Sequence, residues 1–119
     1  MLRAFVPSKD HALSIRFYEA IGFQTNFADS TIAIMANGTD SFILQNFYVT
    51  ELADNFMLQL TVPDAKAWWA EHDLDRVAEM FATKPPKPPA LQPWGAIVGF
   101  VYDPSGVLWH ITEAQAKPA

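Results

Sequence analysis

The residues best suited to chemistry lie in one stretch near the end of the chain, residues 94–113. This stretch contains two of the four tryptophans and one of the three histidines, His110. Two runs rich in β-forming residues flank residues 103–106, Asp-Pro-Ser-Gly, which are typical of a tight turn. We therefore expect a hairpin in which Trp109 and His110 alternate and face opposite sides of a sheet. Such a hairpin is either part of a packed core or the wall of a pocket.

Other chemistry is limited by what the sequence lacks. The chain has no cysteine, which excludes a disulfide framework, a thiolate zinc site and a cysteine nucleophile. It contains no Gly-x-Ser-x-Gly elbow, no Gly-x-Gly-x-x-Gly loop and no Walker loop. Asp29, Asp40 and Asp103 each lie beside a predicted turn, where aspartate usually bonds the backbone. No pair of carboxylates placed for acid–base catalysis is visible.

Composition and charge narrow the classes of partner. The chain has 119 residues, half of them hydrophobic, and predicts one globular domain over residues 1–119. Its net charge of −5 argues against a nucleic acid partner, and either favours a cationic ligand or only aids solubility. No apolar run approaches the roughly 20 residues of a membrane helix, and no signal peptide is visible. We expect a cytoplasmic protein that binds neither nucleic acid nor membrane.

The first half of the chain, residues 1–48, reads as a strand, a helix and three strands. Leu2–Val6 is β-like, Ser8 is a candidate N-cap, and the apolar spacing after it predicts a helix that ends at Gly22. Three further strands follow up to Tyr48, with Asn37-Gly38 as a hairpin signal between two of them. A polar connector is expected over Thr50–Asn55.

The second half, residues 56–113, repeats this order. We expect a strand over Phe56–Val62, then helical segments up to Phe81 whose continuity near Asp73 stays open. Residues 84–89, rich in proline, predict an extended crossing loop before the hairpin. Residues 115–119 read as a frayed tail. The two halves predict an α+β fold built from paired βαβββ modules.

Several short motifs resemble the vicinal oxygen chelate superfamily, which includes glyoxalase I, extradiol dioxygenases and bleomycin-resistance proteins. Residues 17–23, Phe-Tyr-Glu-Ala-Ile-Gly-Phe, are similar to its helix-ending signature, and residues 103–106 to its last hairpin. Residues 7–10, residues 93–95 and His110 most resemble the bleomycin-resistance branch. The resemblance implies paired βαβββ modules that form a curved mixed sheet around a cleft, with helices on the outer face, and it implies a homodimer.

The enzymes of this superfamily hold a metal ion on their strands, and the resemblance carries those positions to Arg3, Gln45, Met57 and His110. Of these, only His110 is an ordinary ligand of divalent metals, because a guanidinium cannot ligate, a thioether is too soft and an amide is weak. We therefore expect no metal and no cofactor, and not an enzyme. The alternative is a lyase or dioxygenase in which His110 and Gln45 hold an unusual metal.

The preferred interpretation is a metal-free protein of the bleomycin-resistance type that sequesters a small molecule, cationic or aromatic, in an aromatic-lined cleft. A bleomycin-type antibiotic is one candidate ligand, and antibiotic resistance is then the biological role. The expected ligand-binding residues are Trp94, His110, Gln45, Phe47, Met57 and Gln59. Structural roles remain as alternatives: a buried neutral imidazole for His110, core packing for Phe47 and gap filling for Met57. A non-catalytic protein-interaction module is the third possibility.

Overall fold

A computed structural model describes residues 1–115, so part of the tail that the sequence predicts lies outside the described residues. The strands and helices alternate as two similar halves. In chain order they are β1 Phe5–Pro7, α1 His11–Ala20, β2 Gln24–Ala28, β3 Ile32–Asn37, β4 Asp40–Gln45, α2 Thr50–Asn55, β5 Met57–Val62, α3 Ala65–His72, α4 Leu74–Phe81, β6 Lys87–Leu91, β7 Ile97–Tyr102 and β8 Leu108–Glu113. None of the helices in this part of the chain is long and apolar enough to span a bilayer.

Two four-stranded mixed sheets form the framework. The first sheet has the order β1-β4-β3-β2 and the second sheet has the order β5-β8-β7-β6. In each sheet the first strand runs parallel to the last strand of its module, and the remaining neighbours are antiparallel. The predicted α+β fold with paired βαβββ modules is therefore confirmed, although the strands make two sheets that do not close into one.

The first helix begins later than the sequence predicts. Asp10, and not Ser8, is its N-cap: the carboxylate accepts a hydrogen bond from the backbone N–H of Leu13 at 3.1 Å. Ser8 is buried and its hydroxyl donates to the carbonyl of Gln45, which ties β1 to β4. Both residue types favour the N-cap position, so composition alone could not separate them.

One hydrophobic core joins the two modules. Phe17 and Tyr18 of α1, Phe42 of β4 and Trp109 of β8 all belong to it and are buried. Tyr18, Phe42 and Trp109 pack with ring centroids between 4.9 and 5.7 Å apart, mostly edge to face. Because the helices cover one side of each sheet, the core lies on that side and the other side of each sheet carries no helix.

Two connecting segments differ from the prediction. Thr50–Asn55, expected as a polar connector, is the short helix α2. Part of the proline-rich segment, expected as a loop, is the strand β6, which pairs only with β7 and has a bulge between Lys87 and Ala90. Proline is tolerated there because an edge strand needs no second row of N–H donors. The sequence left open whether the helix is continuous near Asp73. In the structure the helix is interrupted there, because Asp73 adopts a φ of 48° between α3 and α4.

Candidate functional site

The hairpin of β7 and β8 carries the centre of the candidate site. Its turn is closed by a hydrogen bond from the N–H of Gly106 to the carbonyl of Asp103 at 3.1 Å, and Gly106 adopts a φ of 93° that favours glycine. The Asp103 carboxylate also accepts hydrogen bonds from the backbone N–H groups of Ser105 and Val107, at 2.8 and 2.9 Å. This turn fixes the register of the hairpin, so Phe100 lies directly opposite His110.

A buried hydrogen-bond network joins this turn to the first module. The Tyr18 hydroxyl donates to Asp103 at 2.6 Å, and the Trp109 indole N–H donates to the same hydroxyl at 2.9 Å. Burial raises the pKa of Asp103 to about 6, although the hydrogen bonds from Tyr18 and the backbone oppose that rise. Burial also raises the pKa of Tyr18, and the neighbouring Asp103 charge raises it further. The network holds the hairpin in a fixed position against α1.

Trp109 and His110 face opposite sides of the second sheet. Trp109 is 3% exposed and lies in the core, whereas His110 is half-buried on the side without helices. The His110 ring packs edge to face on Phe100, with centroids 5.0 Å apart. The imidazole is therefore part of an aromatic surface that faces away from the core.

We call the side of the second sheet that faces away from the helices its open face. The helix side is identified by Gly99, since a Cβ built there would lie 2.6 Å from Cζ3 of Trp69 in α3. Side chains at alternate positions of three strands make the open face. These residues are Met57, Gln59 and Thr61 of β5, Phe100 and Tyr102 of β7, and Leu108, His110 and Thr112 of β8, together with Val98 of β7, which is itself buried.

Two rows of the open face bring polar and aromatic groups together. In the first row, Lys87, Phe100, His110 and Gln59 are direct neighbours on β6, β7, β8 and β5. In the second row, Tyr102, Leu108 and Met57 are neighbours on β7, β8 and β5. The surface thus offers an imidazole, an amide and a phenol among apolar side chains, a composition typical of ligand-binding surfaces.

Three of the six residues predicted to bind a ligand meet on this face. His110 and Gln59 are register partners, and Met57, which is 64% exposed, lies two positions before Gln59. Gln45 ends β4 of the first sheet, and Phe47 follows it and is 54% exposed. Both therefore belong to the other module.

Trp94 lies between β6 and β7 and is 61% exposed. The nearby Gln92 amide donates to the carbonyl of Val98 at 3.2 Å, which holds this connection to the edge of the second sheet. The connection thus lies next to one of the strands that make the open face.

Sequence reasoning missed the other members of the open face, above all Phe100, Tyr102 and Lys87. A partial signal existed for Phe100, because centring the hairpin on residues 103–106 brings that residue within one position of His110, its register partner in the structure. No such signal existed for Lys87, because β6 was interpreted as a loop and its pairing with β7 depends on a bulge.

A cavity of about 620 Å³ lies between the two modules beside this face. It is lined by Ser41 and Phe42 of β4 and by Leu58, Gln59 and Thr61 of β5, among others. Gln59 is therefore accessible both from the open face and from the junction of the two sheets.

The four positions at which the resemblance implies metal ligands have other neighbours in this structure. Arg3 donates to the Ser41 hydroxyl at 2.7 Å, Gln45 and Met57 lie in different sheets, and His110 packs on an aromatic ring. Within residues 1–115 no group of three or more His, Asp or Glu side chains could hold a metal ion. The donors at these positions, a guanidinium, an amide, a thioether and one imidazole, do not fit the divalent ions of the metalloenzymes.

The fold is similar to that of several solved structures. A bleomycin-binding protein complexed with bleomycin has a TM-score of 0.76 and 22% identity, with 97% of this chain and 98% of that chain covered. The bleomycin-binding protein from Streptomyces verticillus complexed with copper(II)-bleomycin has a TM-score of 0.79 and 21% identity, with 97% and 98% covered. Lactoylglutathione lyase from Agrobacterium tumefaciens has a TM-score of 0.67 and 14% identity, with 96% and 93% covered.

At these identities the structural likeness shows the fold alone. No curated protein matches the sequence. A family model does match it, over residues 1–111, which is nearly the whole chain. The chain therefore belongs to the Glyoxalase/Bleomycin resistance protein/Dioxygenase superfamily.

Proposed function

We propose that this protein binds and sequesters a small molecule on the open face of the second sheet, without a metal ion. The observation that carries the proposal is the row of Phe100, His110 and Gln59, in which an aromatic ring, an imidazole and an amide are direct neighbours on an uncovered sheet surface. Ligand sites are mostly apolar with a few polar groups that fix orientation, and this row has that composition. Sequestration needs no catalytic group.

The remaining predicted ligand residues belong to this proposal as contributors from outside the open face. Trp94, exposed between β6 and β7, is a ring that a ligand on the second sheet can reach by stacking. Gln45 and Phe47 lie in the first module, so they reach the same ligand only where the two modules, or two copies of the chain, come together. The printed ligand of the bleomycin-binding neighbours makes a bleomycin-type antibiotic one candidate.

We further propose that the protein works as a homodimer. Its first sheet has an apolar row on the side without helices: Phe5, Ile43, Ile34 and Phe27 are register partners across all four strands. The two phenylalanines are exposed and the two isoleucines are half-buried. A continuous apolar row of this kind is typical of a protein contact, and a second copy is the occupant that the family resemblance implies. The cytoplasmic location stays a prediction that cell fractionation tests.

A calorimetric titration with two probes, metal-free bleomycin and the neutral ring compound 1-naphthalenemethanol, tests the binding proposal. We expect saturable binding of at least one probe, and weaker binding to Trp94→Phe and to Gln59→Leu. The matched control is Gln24→Leu, because Gln24 is exposed on β2 of the first sheet. The absence of saturable binding by either probe would contradict the proposal. Binding of the neutral probe without bleomycin would retain the function and exclude the antibiotic.

Two measurements separate this proposal from its alternatives. Stoichiometric Zn, Ni, Mn or Fe in protein purified without chelator, lost on His110→Ala, would favour the metal-dependent lyase or dioxygenase. A non-catalytic interaction module predicts that neither probe binds, while Ile34→Lys still changes the mass measured by light scattering. The donor chemistry of Arg3, Gln45 and Met57 argues against the first alternative.

A further inference from the structure

The open face carries positive groups at one border. Lys87 is the register partner of Phe100, so it continues the row of Phe100, His110 and Gln59 at the β6 edge. The Lys84 ammonium lies 5.3 Å from the centroid of the Tyr102 ring, which belongs to the same face. The Lys84 ammonium is thus within cation–π distance of Tyr102, and Lys87 is the strand neighbour of Phe100.

Carboxylates are absent from this face, although the chain has thirteen Asp and Glu residues, all within the part that the structure describes. Glu113 of β8 faces the helices, since its Oε1 accepts a hydrogen bond from the N–H of Ala65 at 3.0 Å. Asp40 belongs to the first sheet, and it lines the cavity between the modules together with Gln59, at the β5 edge of the open face. The other eleven lie in helices, at helix caps or in turns: Asp10, Glu19, Asp29, Glu51, Asp54, Asp64, Glu71, Asp73, Asp75, Glu79 and Asp103.

The net charge of −5 therefore does not describe the binding surface. A ligand cation at the β6 border of the open face would meet two lysines, since Asp40 lines the cavity at the opposite, β5 edge, and like charges brought together at an interface are strongly unfavourable. A ligand anion would instead find Lys84, Lys87 and the N–H of His110 as donors, and charge-assisted hydrogen bonds are roughly twice as strong as neutral ones. The phenyl and phenol rings of β7 provide the apolar part of the contact.

From this arrangement we propose that the ligand is a planar aromatic compound bearing an anionic group, such as a carboxylate, sulfonate or phenolate. Its ring lies against Phe100 and Tyr102, and its anionic group faces the border formed by Lys84 and Lys87. This inference rests on the proposed function, because it names the ligand class of the same open face. It differs from the cationic ligand that the overall acidity of the chain favours.

Three probes with one ring and three charges test the inference: 1-naphthalenesulfonate, 1-naphthalenemethanol and 1-naphthylmethylammonium. Dissociation constants are measured by calorimetry at pH 7.5 and low salt. We expect the sulfonate to bind about tenfold more tightly than the alcohol, which corresponds to one or two charge-assisted contacts, and the ammonium to bind most weakly. Raising the salt concentration should reduce only the advantage of the sulfonate.

Variants assign the effect to the two lysines. In Lys84→Gln/Lys87→Gln, the affinity for the sulfonate should fall about fivefold or more while the affinity for the alcohol stays unchanged. The matched control is Lys66→Gln, because Lys66 is exposed on α3, on the helix side of the sheet. A sulfonate preference that survives the double variant, or that Lys66→Gln removes equally, would overturn the inference.

The design separates the failure of the inference from the failure of the proposed function. Binding of the ammonium probe as tightly as the sulfonate would overturn the anionic ligand class and leave small-molecule binding in place. Failure of all three probes to bind would overturn the inference, and it would overturn the proposed function as well only if metal-free bleomycin also failed to bind.

Discussion

Replacing Asp103 with asparagine removes a buried negative charge and leaves the shape of the side chain almost unchanged. The carboxylate is 1% exposed and accepts hydrogen bonds from the Tyr18 hydroxyl and from the N–H groups of Ser105 and Val107. It lies in the turn that sets the register of the candidate site. The effect of this substitution on stability should therefore depend strongly on pH.

The pKa of Asp103 gives the size and sign of that dependence. Burial raises the pKa from 3.8 to about 6 in the folded protein. Because the folded state holds the proton more tightly than the unfolded chain, this group stabilises the fold below the unfolded pKa of 3.8, and the contribution is lost as the pH rises through about 6. A shift of about two pKa units corresponds to about 3 kcal/mol.

Urea denaturation at several values between pH 4 and pH 8 measures this contribution. The free energy of unfolding of the wild type minus that of Asp103→Asn should fall by about 2 kcal/mol between pH 4 and pH 7, because the unfolded chain has already lost part of this stabilisation at pH 4. The control is Asp75→Asn, since Asp75 is exposed on α4, and its difference should stay within about 0.5 kcal/mol. A wild-type minus Asp103→Asn difference that does not change with pH would refute the reasoning.

Three further substitutions test the packing of the fold. Tyr18→Phe removes the hydroxyl that donates to Asp103, so the free energy of unfolding in urea should fall by about 1–3 kcal/mol. Gly99→Ala places a Cβ 2.6 Å from the Trp69 ring, so the free energy of unfolding obtained from thermal denaturation should be about 1–3 kcal/mol lower than that of the wild type. Ala82→Gly relieves the strain of a non-glycine residue at a φ of 52° at the end of α4. The free energy of unfolding in the same assay should be about 1 kcal/mol higher than that of the wild type.

Each of these outcomes has a clear opposite. Unchanged stability in Tyr18→Phe would mean that the buried network contributes nothing. A Gly99→Ala protein as stable as the wild type would mean that Trp69 does not lie against this strand. A destabilised Ala82→Gly would show that the flexibility of glycine in the unfolded chain outweighs the strain at this position.

The sequence was sufficient for the elements whose local signals agree. The hairpin around residues 103–106 combined turn residues with β-rich runs on both sides, and both strands are present as predicted. The helix predicted before Gly22 was also correct in type, because apolar spacing and a C-terminal glycine pointed to the same element. The pairing of the modules followed from the repeated order of elements.

Other elements could not be read from local signals because tertiary contacts decide them. Thr50–Asn55 is polar, yet it forms α2, and Ala53 is buried in the core that joins the modules. Residues 87–91 are rich in proline, yet they form β6 because the edge of the second sheet tolerates missing donors. In both cases the local propensity for the element is low, and packing against the rest of the fold stabilises it.

The candidate site was predictable in part for the same reason. Alternation along β8 correctly separated Trp109 from His110, since side chains on a strand alternate between its faces. The neighbours of His110 depend on strand order and register, which bring Gln59 from β5 and Lys87 from β6 to the same row. Gln59 pairs with a residue more than fifty positions away, and the pairing of Lys87 with Phe100 depends on a bulge, so no local pattern reports either one.

Binding of a small aromatic molecule to the open face of the second sheet underlies both the proposed function and the ligand class. A ¹H–¹⁵N correlation titration of the whole chain with 1-naphthalenesulfonate tests it most directly, because it locates the binding surface residue by residue. We expect saturable shifts concentrated in residues 57–61, 98–102 and 108–112, and weaker binding in Lys84→Gln/Lys87→Gln. Shifts confined to the first sheet, or no saturable shifts at all, would contradict it.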